Sequence, residues 1–191
     1  IGFRYGFLSK PSDDSKNINV LSDSSIIHSG DLLKINIGYE NKTNFYIVYR
    51  SAEGEYAQLY SPGEEKESNE DTLYVYPLHW TPMNEPPGIE TFYFINSINL
   101  ISELDKLMQR YNKAPPKGKT KLAIRIQEQI DTLDPNVQDD IASIASRLDK
   151  PVVGGVSFRG DDDDKIKDLS VTHECLGIGG IAFKKIVLIH Q

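Results

Sequence analysis

Alternation of apolar and polar positions predicts β-strands in the first half of the chain. The stretches at 3–10 and 31–39 each place apolar residues at every second position, which is the period of a strand with one buried face. The stretch NFYIVYR at 44–50 is apolar on both faces, so we expect it in the interior of its sheet. The alternating apolar positions are Phe3, Tyr5, Phe7, Leu33, Ile35 and Ile37.

Turn signals separate further strands. SAEGE at 51–55 predicts a glycine turn, and YAQLYS at 56–61 returns as a strand. TLYVYPL at 72–78 and TFYFINS at 91–97 predict two more aromatic strands. The loop between them, HWTPMNEPPGIE at 79–90, contains prolines that cannot continue either strand.

The period changes from two to that of an amphipathic helix after residue 98. Residues 98–111 and 121–133 each carry an apolar stripe at helical spacing, and KAPPKGKT at 113–120 interrupts them. A third helix is expected after Asp134, a typical N-cap followed by Pro135. The two stripes are Leu100, Ile101, Leu104, Leu107, Met108 and Tyr111, then Leu122, Ile126, Ile130 and Leu133.

Strand patterns return after residue 150, so the order is strands, helices, strands. No flexible linker separates these blocks, which favours one domain over residues 1–191. The prediction is a mainly β fold with an α insertion. It is an antiparallel β-sandwich, immunoglobulin-like in general architecture, with two or three helices inserted at 98–149 before the last strands.

Charge and composition narrow the function classes. Formal net charge is −7, which argues against nucleic acid or an anionic membrane surface as the main partner because both require a basic footprint. The lysine-rich stretch at 113–121 is interpreted as a solvated loop. No apolar run approaches the roughly 20 residues of a membrane-spanning helix. We therefore expect no membrane insertion.

Three segments together resemble a bacterial family known as domain of unknown function 4384. They are SGDLLKINIGYENKTNFYIVYRSAEGEYAQLYSP at 29–62, HWTPMNEPPGIETFYFINS at 79–97 with the helix that follows, and a later SFRG. Gly30 and Asp31 match the turn that opens a strand in that family, Gly54 matches a hairpin, and Gly88 and Glu90 match a "PPG-x-E" turn. The resemblance covers residues 26–112 best. It implies a β-sandwich accessory domain of bacterial proteins, often attached to caspase-like peptidases or kinases or found in exported proteins, and it implies no catalytic residues.

Two candidate reactive sites each have a simpler interpretation. His173 and Cys175 lie two residues apart on a predicted strand, but no nucleophile turn surrounds them, and a buried structural cysteine is favoured. Four adjacent carboxylates could bind Ca²⁺, although a solvated hairpin tip is favoured because calcium loops alternate their ligands with other residues. These carboxylates are Asp161, Asp162, Asp163 and Asp164. The same DDDDK run matches a protease recognition sequence of fusion tags, and we interpret it as native. GIGG at 177–180 is expected to be a hairpin turn.

The leading hypothesis is a non-enzymatic interaction or assembly module of a bacterial protein. The expected contact surfaces are the helical insertion and the proline-stiffened 79–90 loop, where a rigid frame presents His79, Trp80, Met83, Glu85 and Pro87. The alternatives are a regulatory domain accessory to a peptidase or kinase, and a carbohydrate- or peptidoglycan-binding sandwich that uses Trp80 and exposed tyrosines. We expect a protein partner and no cofactor, with a periplasmic or cell-envelope location favoured over the cytoplasm.

Overall fold

Two β-sheets face each other, as the alternating pattern predicts. The structure is a computed structural model that describes residues 1–12, 17–39, 42–62, 80–84, 86–134, 150–151 and 173–191. Sheet I contains β1 (Gly2–Lys10), β2 (Asn19–Leu21), β4 (Leu32–Tyr39), β7 (Thr81–Pro82), β9 (Lys150–Pro151) and β10 (His173–Leu176). Sheet II contains β3 (Ser25–Ile27), β5 (Asn44–Arg50), β6 (Tyr56–Tyr60), β8 (Gly88–Ser97) and β11 (Ile181–His190).

The strand order places the long strands at the centre of each sheet. Sheet I runs β7-β4-β1-β10-β9 with β2 paired to β1, and sheet II runs β3-β11-β8-β5-β6. Strand β5 lies between β8 and β6, which confirms its predicted interior position. Pairing is antiparallel except at one edge, where β3 runs parallel to β11 with Ile26 opposite Ile189. The predicted antiparallel β-sandwich is confirmed, with this one parallel pair at the edge of sheet II.

The core between the sheets is built from the predicted alternating positions. Phe7 of β1 packs edge-on against Phe92 and Phe94 of β8, with ring centroids 5.2 Å and 5.5 Å apart. Such tilted aromatic pairs fill the space between sheets and add to the stabilisation from buried area. The predicted inward positions all lie in this core; they are Phe3, Tyr5, Phe7, Leu33, Ile35 and Ile37.

Two helices form a third layer on the outer face of sheet II. They are α1 (Ser102–Lys113) and α2 (Pro116–Asp131). Their apolar stripes pack on the side chains of β5 and β8 that point away from the sandwich. The helices' apolar faces are therefore buried within this chain. The side chains of this second core are Tyr46, Val48, Tyr56, Tyr93, Ile95, Leu104, Leu107, Met108, Tyr111, Ile126, Ile130 and Phe183.

The helix boundaries differ from the predicted ones at two points. Helix α1 begins at Ser102, so Leu100 precedes it and is 61% exposed instead of belonging to the buried stripe. Helix α2 begins at Pro116, inside the stretch that was expected to interrupt the helices. Proline is accepted at the first helical position because its missing N–H would have no intrahelical partner there. The break is therefore shorter than the sequence suggests.

Hydrogen bonds fix the helical layer to the sheet. The hydroxyls of Tyr56 and Tyr93 both donate to Gln127 Oε1 on α2, at 2.5 Å and 3.1 Å. The Ile101 N–H, just before α1, donates to the Tyr46 hydroxyl at 2.9 Å. Because tyrosines from three different strands take part, the helices have one defined position on the sheet.

The glycine turn at 177–180 connects two strands, as predicted, but the strands belong to different sheets. Strand β10 lies in sheet I and β11 in sheet II, so this turn carries the chain across the sandwich and is not a simple hairpin. At Gly177 a Cβ would lie 2.0 Å from the Ile181 carbonyl oxygen, so the close approach of the two segments requires glycine.

Several predictions fall outside the described residues. These are the strand at 72–78, the third helix after Asp134, the strands before residue 173, and the carboxylates Asp161, Asp162, Asp163 and Asp164. Within the described ranges, no helix is long and apolar enough to cross a membrane.

Candidate functional site

One end of sheet II carries a row of exposed isoleucines that the helices do not cover. Ile189 of β11 lies opposite Ile26 of β3 on one side and Ile89 of β8 on the other. The three side chains are 36%, 49% and 61% exposed. Neighbouring strands lie about 4.8 Å apart, so this isoleucine row spans roughly 10 Å across three strands.

The isoleucine row lies on the same face of sheet II as the helical layer. On β8, Tyr93 and Ile95 point into the helical layer, and Ile89 has the same parity along the strand. On β11, Phe183 points into that layer and Ile189 has the same parity. The helices thus cover one part of a continuous face and leave the end with the isoleucine row open to solvent.

Charged side chains border the isoleucine row on both sides. On the β5 side, Arg50 is exposed and is paired with Thr91, two residues from Ile89. On the β3 side, exposed Asp23 accepts a hydrogen bond from the Val187 N–H at 2.8 Å. An apolar centre with a charged border is the usual composition of a protein-binding patch.

A chain of polar side chains lies behind the isoleucine row, on the inner face of the same strands. Exposed Ser29 has its Oγ 2.9 Å from His190 Nε2. His190 Nδ1 lies 3.4 Å from Glu90 Oε1, and the Tyr49 hydroxyl donates to Glu90 Oε2 at 2.5 Å. The His190 side chain is 0% exposed and that of Glu90 is 3% exposed. The four groups form one continuous hydrogen-bonded chain from the interior to the surface.

The positions of the partners favour one tautomer of His190. A carboxylate can only accept, so Glu90 accepts a hydrogen bond from the Tyr49 hydroxyl and lies where it would accept one from an N–H at His190 Nδ1. In that tautomer Nε2 is the acceptor, and the Ser29 hydroxyl lies within hydrogen-bond distance of it. Burial, with a further contribution from the hydrogen bond to Glu90, raises the pKa of Tyr49 well above its usual value. Tyr49 therefore remains a neutral donor throughout the physiological range.

The order hydroxyl, imidazole, carboxylate is that of a nucleophile, its base and the group that orients the base. The backbone amides around Ser29 are already engaged. The Ser29 N–H donates to the Gln191 carbonyl and the Gly30 N–H to the Met83 carbonyl, both at 2.8 Å. These amides do not form an oxyanion hole, so the described geometry supports activation of the hydroxyl without stabilisation of a tetrahedral intermediate.

The predicted loop residues do not form one surface. Met83 is buried in the core between the sheets, so its predicted place in a contact surface is wrong; its backbone pairs with Gly30 and Asp31 and directs the side chain inward. Trp80 is half-buried, with Lys10 Nζ 4.4 Å from its ring centroid. Pro87 is exposed. Two further members, His79 and Glu85, lie outside the described residues.

Cys175 is buried, and the alternative thiol site has no geometric support. The Sγ donates to the Phe183 carbonyl at 3.5 Å within the core between the sheets. The His173 ring stacks on Tyr5 at 5.1 Å between centroids. Within the described ranges, no group of three or more His, Cys, Asp or Glu residues could hold a metal ion.

Sequence reasoning missed both the isoleucine row and the polar chain. Ile89 and Glu90 stand next to each other in the loop stretch, but only alternation along a strand separates them onto opposite faces. Ser29 and His190 are 161 positions apart, and they meet because β3 pairs with β11. The parallel pairing of β3 with β11 cannot be predicted from a single sequence. The alternation of inward and outward positions along 181–190, in contrast, could have indicated an exposed Ile189.

Comparison with known proteins gives no relative: no family model, no curated protein and no solved structure matches the chain. The resemblance to domain of unknown function 4384 therefore stays a prediction. Two of the turns that carry that resemblance, at 29–31 and 87–90, contribute Ser29 and Glu90 to the same end of the sandwich.

Proposed function

We propose that the protein is an interaction module that binds another protein through the isoleucine row of Ile26, Ile89 and Ile189. The observation that carries this proposal is the register of three exposed isoleucines on adjacent strands beside a face that is otherwise covered by helices. Scattered exposed apolar residues are common on protein surfaces, but a contiguous row with a charged border is typical of an interface.

The helical insertion, our other expected contact surface, serves a different role in this proposal. The apolar stripes of α1 and α2 pack on sheet II, so the side chains of these stripes are not available to a partner. Deletion of the helices would expose Tyr46, Val48, Tyr93 and Ile95 and create a new apolar surface that favours non-specific association. Surface substitutions are therefore the informative variants.

The test is affinity capture from the source cell lysate, followed by measurement of the dissociation constant with the purified partner. The variant is Ile26→Thr with Ile89→Thr and Ile189→Thr, which keeps β-branched side chains in all three strands. Each substitution should remove about 1 kcal/mol of binding free energy, so the triple variant should bind about 100-fold more weakly. Val20→Thr is the matched control, because Val20 is a β-branched strand residue that is 56% exposed on sheet I.

Unchanged binding by the triple variant would contradict the proposal, and so would equal loss in the Val20→Thr control. Sedimentation of the purified chain, before and after the triple substitution, shows whether the isoleucine row binds a second copy of this chain or a different protein. A captured peptidase or kinase would favour the regulatory alternative within the same mode of binding.

The carbohydrate-binding alternative has less support. That function requires exposed aromatic rings for stacking, and within the described ranges Trp80 and Tyr49 are only half-buried while the other aromatic side chains are buried. The periplasmic or cell-envelope location and the bacterial origin stay predictions.

A further inference from the structure

Ser29 differs from the other serines near the β3 edge in its partner. Ser22, Ser24 and Ser25 hydrogen-bond to one another or to Asp23. Ser29 instead contacts a fully buried imidazole, 2.9 Å away, that is oriented from behind by Glu90. Tyr49 in turn holds that carboxylate from β5.

Each of these contacts serves the activation of a hydroxyl. The base lies within hydrogen-bond reach of the nucleophile's proton, which is the geometric requirement for general-base catalysis. The carboxylate, with Oε1 3.4 Å from Nδ1, favours the tautomer that carries its proton on Nδ1 and accepts at Nε2. Ser29 is an exposed residue in the turn after β3, so an ester can approach it from solvent.

We propose that Ser29 is a nucleophile for activated esters, with His190 as its general base and Glu90 as a positioning residue. The isoleucine row is not needed for this chemistry, so the proposal stands or fails independently of the protein-binding function. Because the neighbouring amides are engaged, the expected enhancement is at the lower end of what a general base provides, about 100-fold.

The reaction is written for p-nitrophenyl acetate, the probe of the test. The Ser29 Oγ forms a bond to the acetyl carbonyl carbon while its proton passes to His190 Nε2. The carbon–oxygen bond to p-nitrophenolate breaks, and the phenolate leaves with the bonding electron pair. The product is an acetyl ester of Ser29, and the proton on His190 returns to solvent. Water then adds to the ester carbonyl, the bond between the acetyl carbon and the Ser29 Oγ breaks, and the products are acetate, a proton and the Ser29 hydroxyl.

The test is time-resolved mass spectrometry of the intact chain with p-nitrophenyl acetate, with the adduct located by peptide mapping. Acetylation of Ser29 is expected to be about 100-fold faster than that of Ser22, an exposed serine without an imidazole partner. Ser29→Ala should abolish this adduct, and Glu90→Gln should slow it at least tenfold. Ser22→Ala, the matched control, should leave the rate at Ser29 unchanged.

The pH profile of the wild-type chain tests the base without a substitution in the core. Ser29 faces the His190 ring from the turn after β3, and Glu90 faces it from β8. Tyr49 of β5 contacts the Glu90 carboxylate. Asp31, on the same turn as Ser29, lies beside His28. With His190 as the base, the acetylation rate rises as the imidazole loses its proton and then reaches a plateau. A rate that rises tenfold per pH unit without a plateau would overturn the proposal, as would equal rates at Ser29 and Ser22.

Discussion

Four tyrosine hydroxyls lose water when this chain folds, and each keeps a protein partner. Tyr46 receives the Ile101 N–H, Tyr49 donates to Glu90, and Tyr56 and Tyr93 donate to Gln127. Burial is the main cause that raises the pKa of all four, and it raises the pKa of Tyr46 to about 12. A neutral hydroxyl keeps a hydrogen-bond partner at these positions, whereas a charged phenolate would lose much of its hydration there.

These raised pKa values predict loss of stability in alkaline solution. Between pH 10, where tyrosines of the unfolded chain ionise, and pH 12, the unfolded chain releases protons that the folded chain retains. The contribution of these tyrosines to the free energy of unfolding should therefore be constant below pH 10 and fall as pH rises from 10 to 12. Urea unfolding at fixed pH values measures this change. A free energy of unfolding that does not change up to pH 12 would contradict the assigned burial.

At the scale of elements, periodicity predicted the strands and helices better than the connections between them. The period of two in β1 and β4 and the helical stripe of α1 follow from which face is buried, which a local pattern encodes. The start of α2 at Pro116 was missed because a proline–glycine segment looks like a break and is also compatible with a first helical turn. The β3–β11 pairing was missed because its partners are far apart along the chain.

Gln127 links α2 to sheet II by hydrogen bonds to two strands. Gln127→Ala should lower the free energy of unfolding by about 2 kcal/mol, because the buried hydroxyls of Tyr56 and Tyr93 both lose their acceptor. The neighbouring exposed residue provides the control: Glu128→Ala should change stability by no more than about 0.5 kcal/mol. Urea unfolding of the two variants measures the difference. Equal effects would show that Gln127 does not hold the helix on the sheet.

At the scale of the whole molecule, the layers explain why the isoleucine row is open. Sheet I covers one face of sheet II, and the helical layer covers part of the other face. Neither α1 nor α2 covers the end of sheet II where β3, β11 and β8 run side by side, and Ile26, Ile189 and Ile89 lie there. The net charge of −7 disfavours nucleic acid and anionic membranes, which agrees with the proposal of a protein partner for this surface.

Isoleucine methyl NMR tests this central claim most directly. Isoleucine δ1 methyl groups would be labelled with ¹³C, and spectra recorded while the purified binding partner is added. We predict that the resonances of Ile26, Ile89 and Ile189 shift or broaden, whereas those of Ile124, which is 57% exposed on α2, and of Ile35, buried between the sheets, stay unchanged. Shifts confined to Ile124, with the isoleucine row unaffected, would contradict the account and place the contact on the helical layer.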